Sequence, residues 1–200
     1  MDCVGLASPV KTGYRHLKLW GIEDAAMDSK PILGTSYSSP APVGVTIKTT
    51  IERGEAYSAP EVYNVEITLL EIVRGDEAWE RIKVQGSRNE PLKAGFEFVL
   101  VHIRFGYFRR SRGMGGEVYR LTKGQFAAVS PDGKIEYEIP AVLSQPQPEL
   151  IGSTVSPGES RDGWILLQVP KDEKKPVLIF KRQNVEGVHG VWGHIWFQLY

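Results

Sequence analysis

The sequence predicts an all-β protein, an antiparallel β-sandwich of about eight strands with one short helix. The first indication is alternation. Along residues 63–69 every second side chain is apolar, which gives an extended strand one face for a core. The second indication is spacing, because the apolar runs are short and are separated by Gly, Pro or Asp-Gly. No long helical pattern lies between them, so we expect the runs to pair within two packed sheets.

The composition fits one domain with its own core. A chain of 200 residues buries roughly 70% of its unfolded surface, so neither a disulfide nor a metal is needed for stability. The 24 basic and 24 acidic side chains cancel, which argues against a whole-surface field for nucleic acid or an anionic membrane. No apolar run approaches the roughly 20 residues of a transmembrane segment. Cys3 is the single cysteine and excludes an intramolecular disulfide.

Residues 1–42 are predicted to be an N-terminal arm or leader segment, and residues 43–200 the sandwich domain. The first part contains Ser- and Pro-rich stretches with little apolar surface to bury. Its first residues have neither the basic start nor the apolar stretch of about 7–15 residues that a secretory signal needs. We therefore expect either a cytosolic protein or one whose leader has been removed.

Two strands open the predicted sandwich. Alternation over residues 43–51 marks the first, and the second begins near Glu61. In the second strand the alternation slips at Leu69 and Leu70, which predicts a β-bulge or a stretch buried on both faces.

The helix is predicted over residues 76–82. Asp76 is expected to cap its free amides, and Trp79 and Ile82 lie three apart on one face. A helix of one or two turns is marginal alone, so we expect Trp79 to plug an open end of the sandwich.

The longest predicted strand covers residues 96–108. Residues 98–101 are apolar on both faces, which marks a central strand under cover. A strand over residues 118–129 leads into a hairpin turn at Pro131-Asp132-Gly133. Four prolines between residues 140 and 157 predict a long surface connection, and the remaining strands are expected at residues 164–169, 177–180 and 194–200.

Patterns that demand chemistry are absent from the sequence. It contains no Gly-x-Ser-x-Gly elbow, phosphate loop or EF-hand loop. His189 and His194 lie five apart, but a zinc site needs three or four ligands and no cysteine or carboxylate cluster joins them. We therefore predict no catalytic residues, no metal and no cofactor.

One segment has the composition of a contact surface. Between Arg104 and Lys123 there are six basic residues and one acidic residue, and we place the segment at the flexible tip of a hairpin. A solvated tip is the simplest interpretation, and contact with a protein or a glycan is favoured over nucleic acid. Arginine forms bidentate bonds and aromatic rings bury much area, so the predicted binding residues are Tyr107, Phe108, Arg109, Arg110 and Arg112.

Trp192 is a further candidate, together with Trp196. An exposed tryptophan on a sandwich face can stack on a sugar ring, which would make Trp192 part of a glycan-binding site. Packing in the core is the favoured alternative, because large aromatic side chains are usually buried.

Several segments resemble a known group in order and spacing. They include Pro131-Asp132-Gly133 and Ile195-Trp196-Phe197, and the remaining matches cover residues 37–44, 65–79, 95–101 and 163–170. Together they are similar to a bacterial family of unknown function with an immunoglobulin-like sandwich, similar to the mycobacterial immunoprotective extracellular protein. The resemblance implies an immunoglobulin-like fold and an extracytoplasmic location, secreted or lipid-anchored, although no signal peptide is present in this chain. It supplies no catalytic residues.

These observations together predict a non-enzymatic binding or interaction module of the bacterial cell envelope. Its partner is expected to be a protein or a glycan at the envelope, and nucleic acid is not expected. A glycan-binding module and an unrecognised enzyme are the alternatives.

Overall fold

Two antiparallel sheets are the layers of this protein. The computed structural model describes residues 32–53, 61–86, 89–110, 116–140, 145–182 and 193–200, all within one compact unit, Pro31–Tyr200. The strands are β1 (Thr46–Arg53), β2 (Glu61–Arg74), β3 (Phe96–Arg109), β4 (Tyr119–Arg120), β5 (Phe126–Val129), β6 (Thr154–Val155), β7 (Glu159–Pro170), β8 (Val177–Lys181) and β9 (His194–Gln198). The large sheet has the order β1-β2-β3-β7, the second sheet has the order β5-β8-β9, and β4 pairs with β6.

The core lies between the two sheets. Along β2 and β3 the alternate side chains that the sequence marks as apolar are fully buried, including Val65, Ile67 and Phe105. They pack against Phe126, Phe180 and inward side chains of β9 in a single cluster. The predicted all-β antiparallel sandwich is thus confirmed, with nine strands in the described residues instead of about eight. The finer, immunoglobulin-like assignment stays a prediction.

The slip in the alternation of β2 is a β-bulge. The pairing of β2 with β3 shifts between Leu69 and Glu71, as the adjacent leucines predict. One extra residue moves the following side chains by one place, so that Glu71 comes opposite His102 and Ile72 packs against the core.

The helix α1 (Gly75–Gln85) covers one part of the outer face of the large sheet. Ala78 and Ile82 are buried against outward side chains of the strands, and Trp79 stacks on Phe98 with ring centroids 5.7 Å apart. The predicted helix and the cover over the central strand β3 are confirmed. The prediction that Trp79 plugs an open end is wrong, because Phe98 and its neighbours also present apolar surface on the outside of the sheet.

Asp76 does not cap this helix. The N-cap position is Arg74, without a side-chain capping bond, and Asp76 lies in the first turn. Its carboxylate there still faces the positive end of the helix dipole.

A 3-10 helix (Lys123–Gln125) interrupts the strand predicted over residues 118–129. The Thr122 and Gln125 side chains form a reciprocal capping box around it, which offers the backbone an alternative to pairing. The turn at Pro131-Asp132-Gly133 is confirmed, because Ser130 N donates to Ile135 O at 2.8 Å.

Residues 32–42 run along the free edge of β9. Ala41 N donates to Trp196 O at 2.8 Å and Ala41 O accepts from Gln198 N at 2.9 Å. Ala41 is fully buried and contributes to the main core. The boundary at residue 42 stays a prediction, since residues 1–31 lie outside the described part of the chain.

Candidate functional site

The predicted Arg and aromatic residues separate onto two sides of the large sheet. Tyr107 points into the core and is fully buried, whereas Phe108 is half-buried on the outer side. Arg109 lies half-buried, and Arg110 follows the end of β3 and is exposed. Arg112 and Trp192 lie outside the described residues. Strand geometry separates this cluster, because successive side chains of a strand point to opposite faces.

The prediction that the basic segment forms the tip of a hairpin, between the strands predicted over residues 96–108 and 118–129, is wrong. β3 pairs with β2 along one edge and with β7 along the other, while β4 pairs with β6. Both edges of β3 are therefore occupied, and the chain after it passes to a different sheet.

Ion pairs neutralise part of the predicted basic segment. Arg104 donates two hydrogen bonds to the Asp162 carboxylate, at 2.8 and 2.7 Å. Arg109 pairs with Glu61. The hydrogen bond from Tyr63, followed by Arg109, lowers the pKa of Glu61, and Arg104 lowers the pKa of Asp162. Among the five of these cations that the structure describes, Arg104 and Arg109 thus pair with carboxylates of the same chain.

Tyr107 belongs to a buried network at one end of the sandwich. Its ring stacks on Tyr63 with centroids 4.5 Å apart and lies 5.3 Å from the ring of Tyr119. Arg53 donates to Tyr107 Oη at 3.4 Å, and Gln125 donates to the Tyr119 hydroxyl. Buried hydroxyls need such partners, so in this structure Tyr107 serves the core.

We expect this network to make the fold sensitive to alkali. Burial raises the pKa of Tyr63, Tyr107 and Tyr119. Because the folded pKa lies above the unfolded value of about 10, the stabilisation is fully present below that pH and is lost as the pH rises further. Urea unfolding across this range should show a smaller alkaline loss for Tyr107→Phe than for the unsubstituted protein. Equal losses would contradict the assignment.

The rest of the outer side of the large sheet is not covered by α1. We call this surface the open face, and define it by the outward residues Thr46, Lys48, Asn64, Glu66, Thr68, Arg104, Gly106, Phe108, Ser160 and Asp162. The strand registers arrange them in rows across the sheet. One row runs from Thr46 to Asp162, the next from Lys48 to Ser160, and a third holds Asn64 and Phe108.

The Phe108 ring lies over Gly106 on the open face. A methyl group placed on Gly106 would come within 2.7 Å of Phe108 Cε2 and 3.0 Å of Ser160 Oγ. The ring therefore uses the space that the missing side chain leaves. This gives the half-buried ring one face against the strand and places it beside the row that contains Glu66.

A groove of about 460 Å³ lies between α1 and the segment that precedes β6. We call it the α1 groove, and its lining consists of Glu80, Arg81, Val84, Gln85, Leu100, Pro146 and Trp164. The lining is largely apolar at the floor, and Val84 on its rim is 84% exposed. Gln147 N donates to Gln85 Oε1 at 2.9 Å, which ties the two walls together.

Trp164 is held in place in the α1 groove. Its ring stacks on His102 with centroids 4.6 Å apart, and the Arg81 guanidinium lies 5.6 Å from its centroid. Arg81 in turn pairs with Glu71 and Glu77, each at 2.9 Å. The aromatic edge and the cation in the groove are thus oriented before any partner arrives.

Sequence reasoning missed Trp164, Arg81 and Val84 as site residues. The predicted strand over residues 164–169 did carry a usable signal, because Trp164 alternates with the core residues Ile165 and Leu167 and so must face outward. Val84 lies beyond the predicted helix end, and the sequence has no comparable signal for it.

The histidines do not assemble into a site in the described part of the chain. No group of three or more His, Cys, Asp or Glu side chains that could hold a metal occurs among those residues. His194 lies edge-on to Trp196 at 6.2 Å, and His189 falls outside the described ranges. Trp196 itself is 8% exposed and contacts Tyr37 edge-on at 5.9 Å.

Comparisons of the chain with family models, with curated proteins and with solved structures give no match. The family resemblance therefore stays a prediction. Across the described ranges, none of the helices has the length and apolar character to cross a membrane.

Proposed function

We propose that this protein is a non-enzymatic binding module of the bacterial cell envelope that holds a partner protein in the α1 groove. The observation that carries the proposal is the exposed Val84 beside Trp164 and Arg81. An exposed apolar side chain next to a fixed Trp and Arg has the composition of an interface centre. Exposed apolar surface with a polar rim is typical of interaction sites.

Preorganisation supports binding at this groove. The stacking of Trp164 on His102 and the two ion pairs of Arg81 limit the conformations of both side chains. Ordering flexible side chains on association costs roughly 0.5–1.5 kcal/mol each. A partner that contacts Trp164 and Arg81 avoids most of this loss.

The charged groups of the groove favour contact over catalysis. Glu80 pairs with Lys83 at 2.7 Å, and Arg81 is paired twice. The described lining contains no Ser, Thr, Cys or Lys nucleophile beside a base, an arrangement that covalent catalysis requires.

The envelope location comes from the family resemblance. Mass spectrometry of the native N-terminus in cell fractions of the source organism tests it. We expect a processed or lipidated N-terminus in the envelope fraction, and an intact Met1 in the cytosolic fraction would contradict the location.

We expect Val84→Arg to weaken partner binding strongly. A long charged side chain at the rim would meet the partner's apolar surface, and bringing that charge out of water costs binding free energy. Tagged protein, purified from envelope extracts, should retain the partner at least about tenfold less well than the unsubstituted protein.

Ile135→Arg is the matched control. Ile135 is also apolar and 59% exposed, but it lies in the turn after β5 and does not line the groove. The proposal requires Ile135→Arg to retain the partner that Val84→Arg loses. Equal retention by both variants and the unsubstituted protein would overturn it.

A further inference from the structure

We infer that the open face binds a neutral glycan, with the Phe108 ring as the stacking platform. The site uses none of the residues that line the α1 groove, so it stands or fails independently of the proposed partner protein.

The first support is the pose of Phe108. Its ring lies over Gly106, where only a residue without a side chain leaves the necessary space. A ring that rests on the strand presents its other face outward. Pyranose rings have an apolar C–H face that packs against such a surface, and an aromatic ring supplies much contact area with little loss of side-chain entropy.

The second support is the polar surface on the same face as the ring. Arg104 and Asp162 form a bidentate pair, and the exposed Thr46 shares a hydrogen bond of 2.7 Å with Thr68, which is itself buried. Asn64 and Ser160 add an exposed amide and an exposed hydroxyl. These groups supply both donors and acceptors, which is what the hydroxyl groups of a sugar require.

The third support is the charge balance of the face. Lys48 pairs with Glu66 at 2.7 Å, and Arg104 pairs with Asp162. The charges therefore cancel within the site. A polyanion such as nucleic acid or an acidic polysaccharide needs uncompensated cations, whereas a neutral ligand does not.

The size of the face fits a chain better than a single sugar. Four neighbouring strands give a width of about 14 Å, and three rows of outward residues give a similar length. A surface of this extent contacts several units of an extended polysaccharide at once.

The experiment is affinity electrophoresis of the full chain in gels that contain one polysaccharide each. The neutral probes are cellulose in soluble hydroxyethyl form, xylan, glucomannan and dextran, and polygalacturonate is the acidic probe. We expect at least one neutral probe to retard the protein, with retardation that persists at high salt because no net charge is involved. No retardation by any neutral probe would overturn the inference.

Two variants test the role of the ring. Phe108→Ala should weaken binding at least about tenfold. Gly106→Ala should also weaken glycan binding, because the new methyl group would push the Phe108 ring out of its position over residue 106. Tyr200→Ala is the control, since Tyr200 is 52% exposed and lies outside the open face. Equal binding by Phe108→Ala and Tyr200→Ala, with both folded by circular dichroism, would overturn the inference.

Discussion

Phe105→Ala is expected to lower the free energy of unfolding by about 3–5 kcal/mol. Phe105 lies in the middle of the central strand β3 and is fully buried. Its ring centroid lies 5.1 Å from that of Tyr119 and 5.9 Å from that of Phe180, so it contacts both the β4-β6 pair and the β5-β8-β9 sheet. Truncation would leave a cavity that neither layer can close, because the backbone of β3 is held by β2 and β7.

Phe108→Ala is the matched control for this prediction. Phe108 lies on the same strand but faces outward and is only half-buried. Its truncation should lower the free energy of unfolding by only about 1 kcal/mol. Urea unfolding of the two variants measures the difference, and similar losses would show that the two faces of β3 are assigned wrongly.

Gly163→Ala is expected to destabilise the fold by about 3 kcal/mol, at the upper end of the range for overpacking. A methyl group on Gly163 would lie 2.8 Å from Leu150 N and 2.9 Å from Leu150 Cα. Backbone atoms cannot move aside as a flexible side chain can. Insertion would therefore separate residues 148–150 from β7, where Trp164 N now donates to Pro148 O at 2.7 Å.

Gly124→Ala provides the comparison. Nothing lies within 4 Å of a methyl group at Gly124, so the change should alter the unfolding free energy by no more than about 0.5 kcal/mol. Thermal unfolding should give a much lower Tm for Gly163→Ala than for Gly124→Ala. Equal Tm values would contradict the close contact at Leu150.

Local features of the fold follow closely from the sequence. The bulge at Leu69, the turn at Pro131-Asp132-Gly133 and the helix near Asp76 each depend on residues within one short segment. Their causes are the strand period, turn propensity and helix periodicity, which act between neighbours. The sequence therefore contains enough information to locate them.

The candidate site was less accessible to prediction. All four described residues of the predicted set were expected on one contact surface, but Phe108 and Arg110 face outward while Tyr107 and Arg109 turn toward Tyr63 and Glu61. Alternation alone separates the two sets. The partners could not be predicted, because Glu61 is 48 residues from Arg109 and Asp162 is 58 residues from Arg104.

The sequence by itself determined the class of the fold, the positions of most strands and the identity of many core side chains, although not that of Tyr107. Those properties depend on a period of two and on turn residues, both of which are local. Tertiary structure alone decided that α1 covers the outer side of the large sheet, that β4 pairs with β6, and that Trp164 meets Arg81. These contacts join segments that are far apart in the sequence. They depend on which surfaces of the sheets are left uncovered, and no local pattern contains that information.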